Sequence, residues 1–295
     1  SVAFVELNDG TSLKNIQVVV EKGDTDYKEP RVGMSLKVTG TVTEGRNNTV
    51  EINAAPDGIT VLGECPQDYP LQKKGHTLEF LRSMPHLRGR TNTFNAVWRV
   101  RSVLAASLHE FFQKNNYVYV NTPLITGSDC EGAGEMFQVT TNGYTTEFKS
   151  EEEYYANDFF GKRAGLSVSG QLEGEVAAMA MGKIYTFGPS FRAENSNTPQ
   201  HLAEFWHIEP EVAFAELDDV IEIAEDMLKY VIGKLLEKCP DEVAFFDAHF
   251  EKGLRARLEE LISHDFARVT YTEAIKLLQE SGSCLTVIAC ISATQ

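Results

Sequence analysis

The sequence predicts an α+β protein built as two units, and three observations predict it. Residues 1–64 hold four short β-rich stretches separated by polar turns. Residues 91–113 keep apolar side chains at helical spacing over a long run. Residues 184–214 read as two strands joined by a loop, and one face of that hairpin is charged where an ordinary one would be apolar. With 295 residues, 42% of them hydrophobic, the chain can bury a sizeable core and form two domains.

In the first unit, Val2 to Leu7, Ile16 to Val20, Ser35 to Val42 and Thr49 to Ile52 are broken by Asn8-Asp9-Gly10, Gly23, Gly33 and Gly45 to Asn48. Several short strands with polar turns suggest a small barrel spanning 1–66. Residues 67–92, rich in Pro, Gly and basic side chains, read as a hinge. The second unit spans 93–280. It opens with a helix carrying Phe94, Val97, Trp98, Leu104, Leu108, Phe111 and Phe112, stopped at Asn115-Asn116. Tyr117 to Val120 follows as a strand ended by Asn121-Thr122-Pro123. Residues 142–160 read as a solvated insertion. Leu166 to Glu175 begins as an alternating strand and leads into a small-residue helix, Val176 to Met181. Leu217 to Glu237 is an amphipathic scaffold helix, and Thr270 with Glu273 forms a capping box for a helix ending near Glu280.

The net charge is −16, yet Lys73, Lys74, Arg82, Arg88, Arg90, Arg99 and Arg101 fall within 71–101 beside a single acid, Glu79. Such a segment can meet phosphate while the remaining acidity keeps the protein soluble. Cys65, Cys130, Cys239, Cys284 and Cys290 show neither C-x-x-C nor His spacing. That argues against a zinc site or a disulfide framework and fits a reducing compartment, cytoplasmic or organellar rather than secreted. No apolar run approaches the roughly 20 residues that span a bilayer. The chain begins at Ser1, which leaves a removed targeting segment open.

The hairpin carries the chemistry. Its strands are Ile184 to Glu194 and His201 to Phe214, with the turn-forming residues 195–200 between them. Arg192 and Glu194 share a face, as do Phe205, His207, Glu209 and Glu211. Two readings stand on pattern alone: a substrate floor, or the solvated face of an edge hairpin. The order F-R-x-E, polar loop, H-L-A-E-F, E-P-E resembles the second signature motif of class II (subclass IIb) aminoacyl-tRNA synthetases, in the version of bacterial or organellar asparaginyl enzymes. T-P-L-I-T at 122–126, after helix and strand, is similar to their first motif, which builds a dimer interface.

The resemblance implies an OB-fold anticodon-binding domain at the N-terminus and an antiparallel catalytic sheet with flanking helices. It implies ATP-dependent activation of asparagine to asparaginyl-adenylate and transfer to tRNA(Asn), by a homodimer using ATP and Mg²⁺. Arg192 would bind the α-phosphate and act as the catalytic residue, Phe205 would stack on adenine, and Glu194 and His201 would border the ATP. Glu131, Ser169, Gln171, Glu175 and Glu209 would hold the amino acid. Glu131 sits in a Gly-rich loop and is otherwise a surface acid. Aspartyl enzymes carry a lysine where Gly174 stands, and Glu175 can accept from an amide NH2 while repelling a carboxylate, so both point to asparagine. Glu175 is otherwise an acid placed to start a helix. Phe4 and Gln17 fall on the family's anticodon-reading positions, where stacking is worth about 1–3 kcal/mol per base; the other reading of Phe4 is core. His76, Arg82, His86 and Arg88 either touch tRNA backbone or face solvent.

The family's first barrel strand and its glycine-rich third motif, which supplies a second arginine and nearby Mg²⁺ ligands, have no counterpart here. Residues 281–295 are unlike the family and read as an aberrant end. Loss of such charges is worth about 10²–10³-fold each. The alternatives are therefore an inactive tRNA-binding or dimerising fragment, or an aspartyl or non-discriminating synthetase.

Overall fold

A computed structural model describes residues 2–21, 30–45, 49–130, 132, 136–196, 198 and 201–281. Glu131 and residues 282–295 lie outside the described residues.

The N-terminal unit is a four-stranded sheet of β1 (Val2–Leu7), β2 (Ile16–Glu21), β3 (Ser35–Glu44) and β4 (Val50–Gly63), in the order β1-β2-β4-β3. β2 runs parallel to β4, and the other pairs are antiparallel. Alternation sets the faces: Val18 and Val20 are buried, while Phe4 is 65% exposed. The core reading of Phe4 therefore fails. β4 runs well beyond Ile52, where the sequence pattern ends it. Its register with β3 jumps from Gly40↔Ala54 to Val38↔Ile59, so residues 55–58 bulge out and the strand resumes. Gly58 is required there, since a Cβ would lie 2.2 Å from the Thr39 carbonyl oxygen.

Residues 65–92 do more than connect. They contain α1 (Leu78–Arg82) and a 3₁₀ turn at Arg88–Arg90. Cys65, Tyr69, Leu71 and Leu81 form a buried cluster with Met34, just before β3, and Phe94 of the next helix packed against it. Arg88 lies over the Phe94 ring at 4.7 Å, and His76 stacks on Phe80 at 5.4 Å, while Arg82 and His86 remain exposed. Pro and Gly signalled flexibility, but the apolar residues between them pack.

The second unit begins with α2 (Asn92–Lys114), capped by the Thr91 hydroxyl. Asn116, in the left-handed region at φ 63°, turns the chain into β5 (Val118–Tyr119). Next come β6 (Ile125–Thr126), β7 (Gln138–Val139), α3 (Glu151–Ala156), β8 (Ala164–Leu166), α4 (Gln171–Met181), β9 (Lys183–Phe191) and β10 (Glu204–Val212). The helices α5 (Leu217–Lys238), α6 (Pro240–His249), α7 (Leu254–Ser263) and α8 (Tyr271–Glu280) complete it. The Thr270–Glu273 capping box is present at α8. Among the described residues no helix is long and apolar enough to cross a membrane.

β6, β8 and β7 form one small sheet, and β10, β9 and β5 another. The β9–β10 hairpin is antiparallel as expected, but β5 joins β9 in parallel, so the sheet is mixed. Its back face is the core: Tyr185 stacks on Phe112 at 4.7 Å, and Phe111, Phe187, Ile208, Val212, Ile223 and Met227 pack around them. That leaves the front face for α4 and the loop before it. Residues 142–160 are largely exposed, as their composition suggests, and Asp158 is the buried exception. Asp158 accepts from the Thr140 hydroxyl and from the amides of Thr141 and Phe160.

Candidate functional site

The hairpin register places Thr186 opposite Glu209, Gly188 opposite His207 and Ser190 opposite Phe205. Side chains paired across a ladder share a face, so these residues join Arg192 and Glu211 to make one floor. The strands are shorter at the loop end than the pattern suggests, ending at Phe191 and starting at Glu204. One further bond, from the Arg192 amide to the Ala203 carbonyl at 3.1 Å, carries the ladder as far as Arg192. Glu194 lies beyond it, 4.0 Å from the His201 ring nitrogen, at the mouth of the hairpin.

A tight loop crosses above this floor. The alternating strand expected to run on from Leu166 stops there, and the helix starts at Gln171 rather than Val176. The cause is local. Ser167 donates its hydroxyl to the Ser169 carbonyl at 2.6 Å, and the Gln171 amide donates to the Ser169 hydroxyl at 3.1 Å, turning the chain before a helical run can be avoided. Gln171 and Glu175 consequently lie one turn apart on α4, and the Gln171 amide donates to the Glu175 carboxylate at 2.9 Å.

Glu209 ties loop to floor. One carboxylate oxygen accepts from the Ser169 hydroxyl and lies 3.3 Å from His207 Nδ1; the other accepts from the Gly170 amide at 3.1 Å and the Thr186 hydroxyl at 2.8 Å. A carboxylate offers about four acceptor positions. Three are filled by hydrogen bonds from loop and floor, which makes Glu209 the fixed point of the site and leaves one acceptor position beside His207. A small recess of about 20 Å³ opens beside it, lined among others by Thr122, Ser167, Gly170, Thr186 and Ser190. Gly170 belongs there because a Cβ would meet the Thr122 hydroxyl at 2.7 Å.

Arg192 reaches the other side of the same loop. Its Nε donates to the Val168 carbonyl at 3.4 Å, and its guanidinium lies 5.5 Å from the Phe205 ring centre. Phe205 in turn lies 5.5 Å from the His207 ring. A planar cation and an aromatic face, side by side and open to the loop, can receive an anionic group and a flat ring together. At the opposite end of the floor Glu211 sits beneath α4, where a Cβ at Gly174 would be 3.4 Å from its Cγ. Burial, then the charges of Glu175 and Glu209, hold its carboxyl above the ordinary carboxylate range.

Of the residues expected from sequence, Ser169, Gln171, Glu175, Glu209, Arg192 and Phe205 converge on this floor, and Glu194 and His201 border it. Glu131 lies outside the described residues. Phe4 and Gln17 lie apart, on the exposed face of the N-terminal sheet. Gln17 is opposite Glu6, next to the Phe4 pair, and donates to Glu51 at 2.8 Å. Thr186, Ser190 and Gly170 escaped the sequence reading as site residues. Only the strand register could have revealed Thr186 and Ser190, because β9 alone reads as a plain apolar strand, and Gly170 depends on the turn at Ser169. Among the described residues, no three His, Cys, Asp or Glu side chains are arranged to hold a metal ion. A larger depression, about 360 Å³ between α5 and the Val212 end of the hairpin, holds none of these residues.

Residues 77–286 match the family of tRNA synthetases class II (D, K and N), and residues 1–56 match the OB-fold nucleic acid binding domain. Asparagine–tRNA ligase of Phocaeicola vulgatus is 52% identical over 287 residues, covering 95% of this chain and 61% of the relative. That of Clostridium kluyveri is 51% identical over 290 residues, covering 96% and 62%. The structure of asparaginyl-tRNA synthetase from Pyrococcus horikoshii complexed with asparaginyl-adenylate superposes with a TM-score of 0.78 at 26% identity, covering 96% of this chain and 61% of that one. The chain thus spans about 61% of the length of the curated relatives it matches.

Proposed function

Since the chain belongs to the class II tRNA synthetases (D, K and N), we propose that it works as an asparagine–tRNA ligase, activating asparagine with ATP and passing it to tRNA(Asn). The asparagine carboxylate attacks the α-phosphorus of ATP, pyrophosphate leaves, and the acyl group then moves to a ribose hydroxyl of the tRNA end. No protein nucleophile is needed; positioning and charge stabilisation carry both steps.

Arg192 is the residue for the α-phosphate, its fork meeting charge that grows as the bond to the leaving group lengthens. Phe205 stacks on the adenine, and Glu194 and His201 line the entrance shared by ATP and the acceptor end. Ser169, Gln171 and Glu209, with Glu131, hold the α-ammonium of asparagine, and Glu175 takes the side-chain amide. The observation that carries this reading is the Glu209 junction, which fixes the Ser169–Gly170 loop over the floor within reach of Arg192. Mg²⁺ supplies charge neutralisation on the phosphates in such reactions. The described acids do not form a set for it. Phe4 and Gln17 read the anticodon, the protein acts as a homodimer, and it works in the cytoplasm or an organelle.

Asparagine-dependent exchange of pyrophosphate into ATP tests the reading. Exchange with asparagine and not with aspartate is expected, and Glu175→Ala should erode that preference by about tenfold or more, since a lost polar contact is what such discrimination rests on. Background exchange from folded protein, or an unaltered preference in Glu175→Ala, contradicts it.

A further inference from the structure

We propose that Arg99, on α2 of the synthetase unit, is a positioning residue for the anticodon-reading face of the N-terminal sheet; this rests on the reading of Phe4 and Gln17 given above. Arg99 reaches across to the turn between β1 and β2. One guanidinium nitrogen donates to the Gly10 carbonyl, another donates to the Thr11 carbonyl at 3.1 Å, and Nε donates to Asn95 Oδ1 at 2.6 Å. On its other side Nε lies 3.9 Å from the carboxylate of Glu242, an acid of α6 with only 7% of its surface exposed. A buried acid without a cation is costly, so Glu242 holds Arg99 in the pose that grips the turn.

The gripped turn is the closed end of the hairpin that bears the reading residues. Within it, Asn8 accepts from the Gly10 amide at 2.7 Å and donates to Asn15 Oδ1 at 3.1 Å. Asn15 donates to Glu6 at 3.2 Å, and Glu6 is the register partner of Gln17 and lies two residues from Phe4 on the same face. Hydrogen bonds therefore run without a break from Glu6 on the exposed face through the turn to α2, and the Arg99–Glu242 ion pair continues the link to α6. Lys14, also in the turn, adds an ion pair to Asp241 of α6 at 2.6 Å. That pair is exposed and contributes little by itself. Arg99 is the tie with geometry, because only a planar fork serves two adjacent carbonyls and a side-chain acceptor together. Its place in the basic 71–101 segment suggested a phosphate contact; the structure spends its donors on protein instead.

The test is binding of this chain to two RNA hairpins, one carrying the asparagine anticodon and one with a scrambled loop, over a range of salt. Arg99→Ala and Arg99→Lys should each weaken the anticodon hairpin about tenfold, within the usual span of coupling between sites, and leave the scrambled one unchanged. The salt dependence should keep its slope, and the loss should vanish in a Phe4→Ala background, where the face no longer reads. Lysine keeps charge and stem, so its failure to rescue separates positioning from bulk electrostatics and from misfolding. Equal weakening of both hairpins with a slope reduced by about one would mark a direct phosphate contact and overturn the proposal. So would an unaltered affinity. If Phe4→Ala itself leaves the preference between hairpins intact, the anticodon reading fails, and the assignment of Arg99 falls with it.

Discussion

Glu209 and Glu211 stand two residues apart on one strand face and do opposite things. Glu209 accepts from a hydroxyl of the loop, an amide and a second hydroxyl, with a histidine beside it. Glu211 has the underside of α4 above it and two other carboxylates for company. Its folded pKa is raised, so between the unfolded value and the folded one the native state holds the extra proton and stability falls as pH rises. Below the unfolded value, near 4.5, the effect is absent. Glu211→Gln should therefore raise the melting temperature at pH 8 and leave it nearly unchanged at pH 4, as thermal unfolding at both values would show. An equal gain at both would mean that packing, not charge, is at stake. Sequence reasoning found these acids from the period of the strand, but not how they differ. That difference comes from Gly174 and Thr186, which the hairpin register and the turn at Ser169 bring over them.

At the scale of elements, the hairpin works because its two faces have been given separate tasks. Tyr185, Phe187 and Ile208 turn backward onto Phe111, Phe112 and α5, leaving the front free for polar groups. Phe112 is fully buried and stacks on Tyr185, so Phe112→Ala should cost about 3–5 kcal/mol in denaturant unfolding, with the site lost only as the fold is lost. The periodic elements were legible in the chain: α2 with its Thr91 cap, α5, the hairpin and the α8 capping box. What was not legible depended on non-periodic contacts. The bulge at 55–58 looked like the end of a strand because Pro56 and Gly58 are turn residues by composition. The segment 65–92 looked like a hinge because its buried Tyr69, Leu71 and Leu81 keep no period. The early start of α4 hung on two serine hydroxyls, and the parallel docking of β5 on a partner 66 residues away in the chain, Val118 against Ile184.

Across the whole molecule, the N-terminal OB-fold sheet and the hairpin floor are joined by a packed connector and by the Arg99 grip on the β1–β2 turn. The family was legible from one hairpin, since F-R-x-E and H-L-A-E-F with E-P-E fix the identity of four floor positions and two at its border at once. On the proposed function, the floor holds an asparaginyl-adenylate, with Arg192 on its phosphate and Phe205 beneath its base. Titration calorimetry with a non-hydrolysable asparaginyl-adenylate analogue tests it most directly. Saturable binding is expected, weakened by about 1.5–3 kcal/mol in Arg192→Ala, the range for a hydrogen bond to a charged group, and weaker again for the aspartyl analogue. Equal affinity for the two analogues, or an Arg192→Ala protein that binds as well as the parent, would contradict the account.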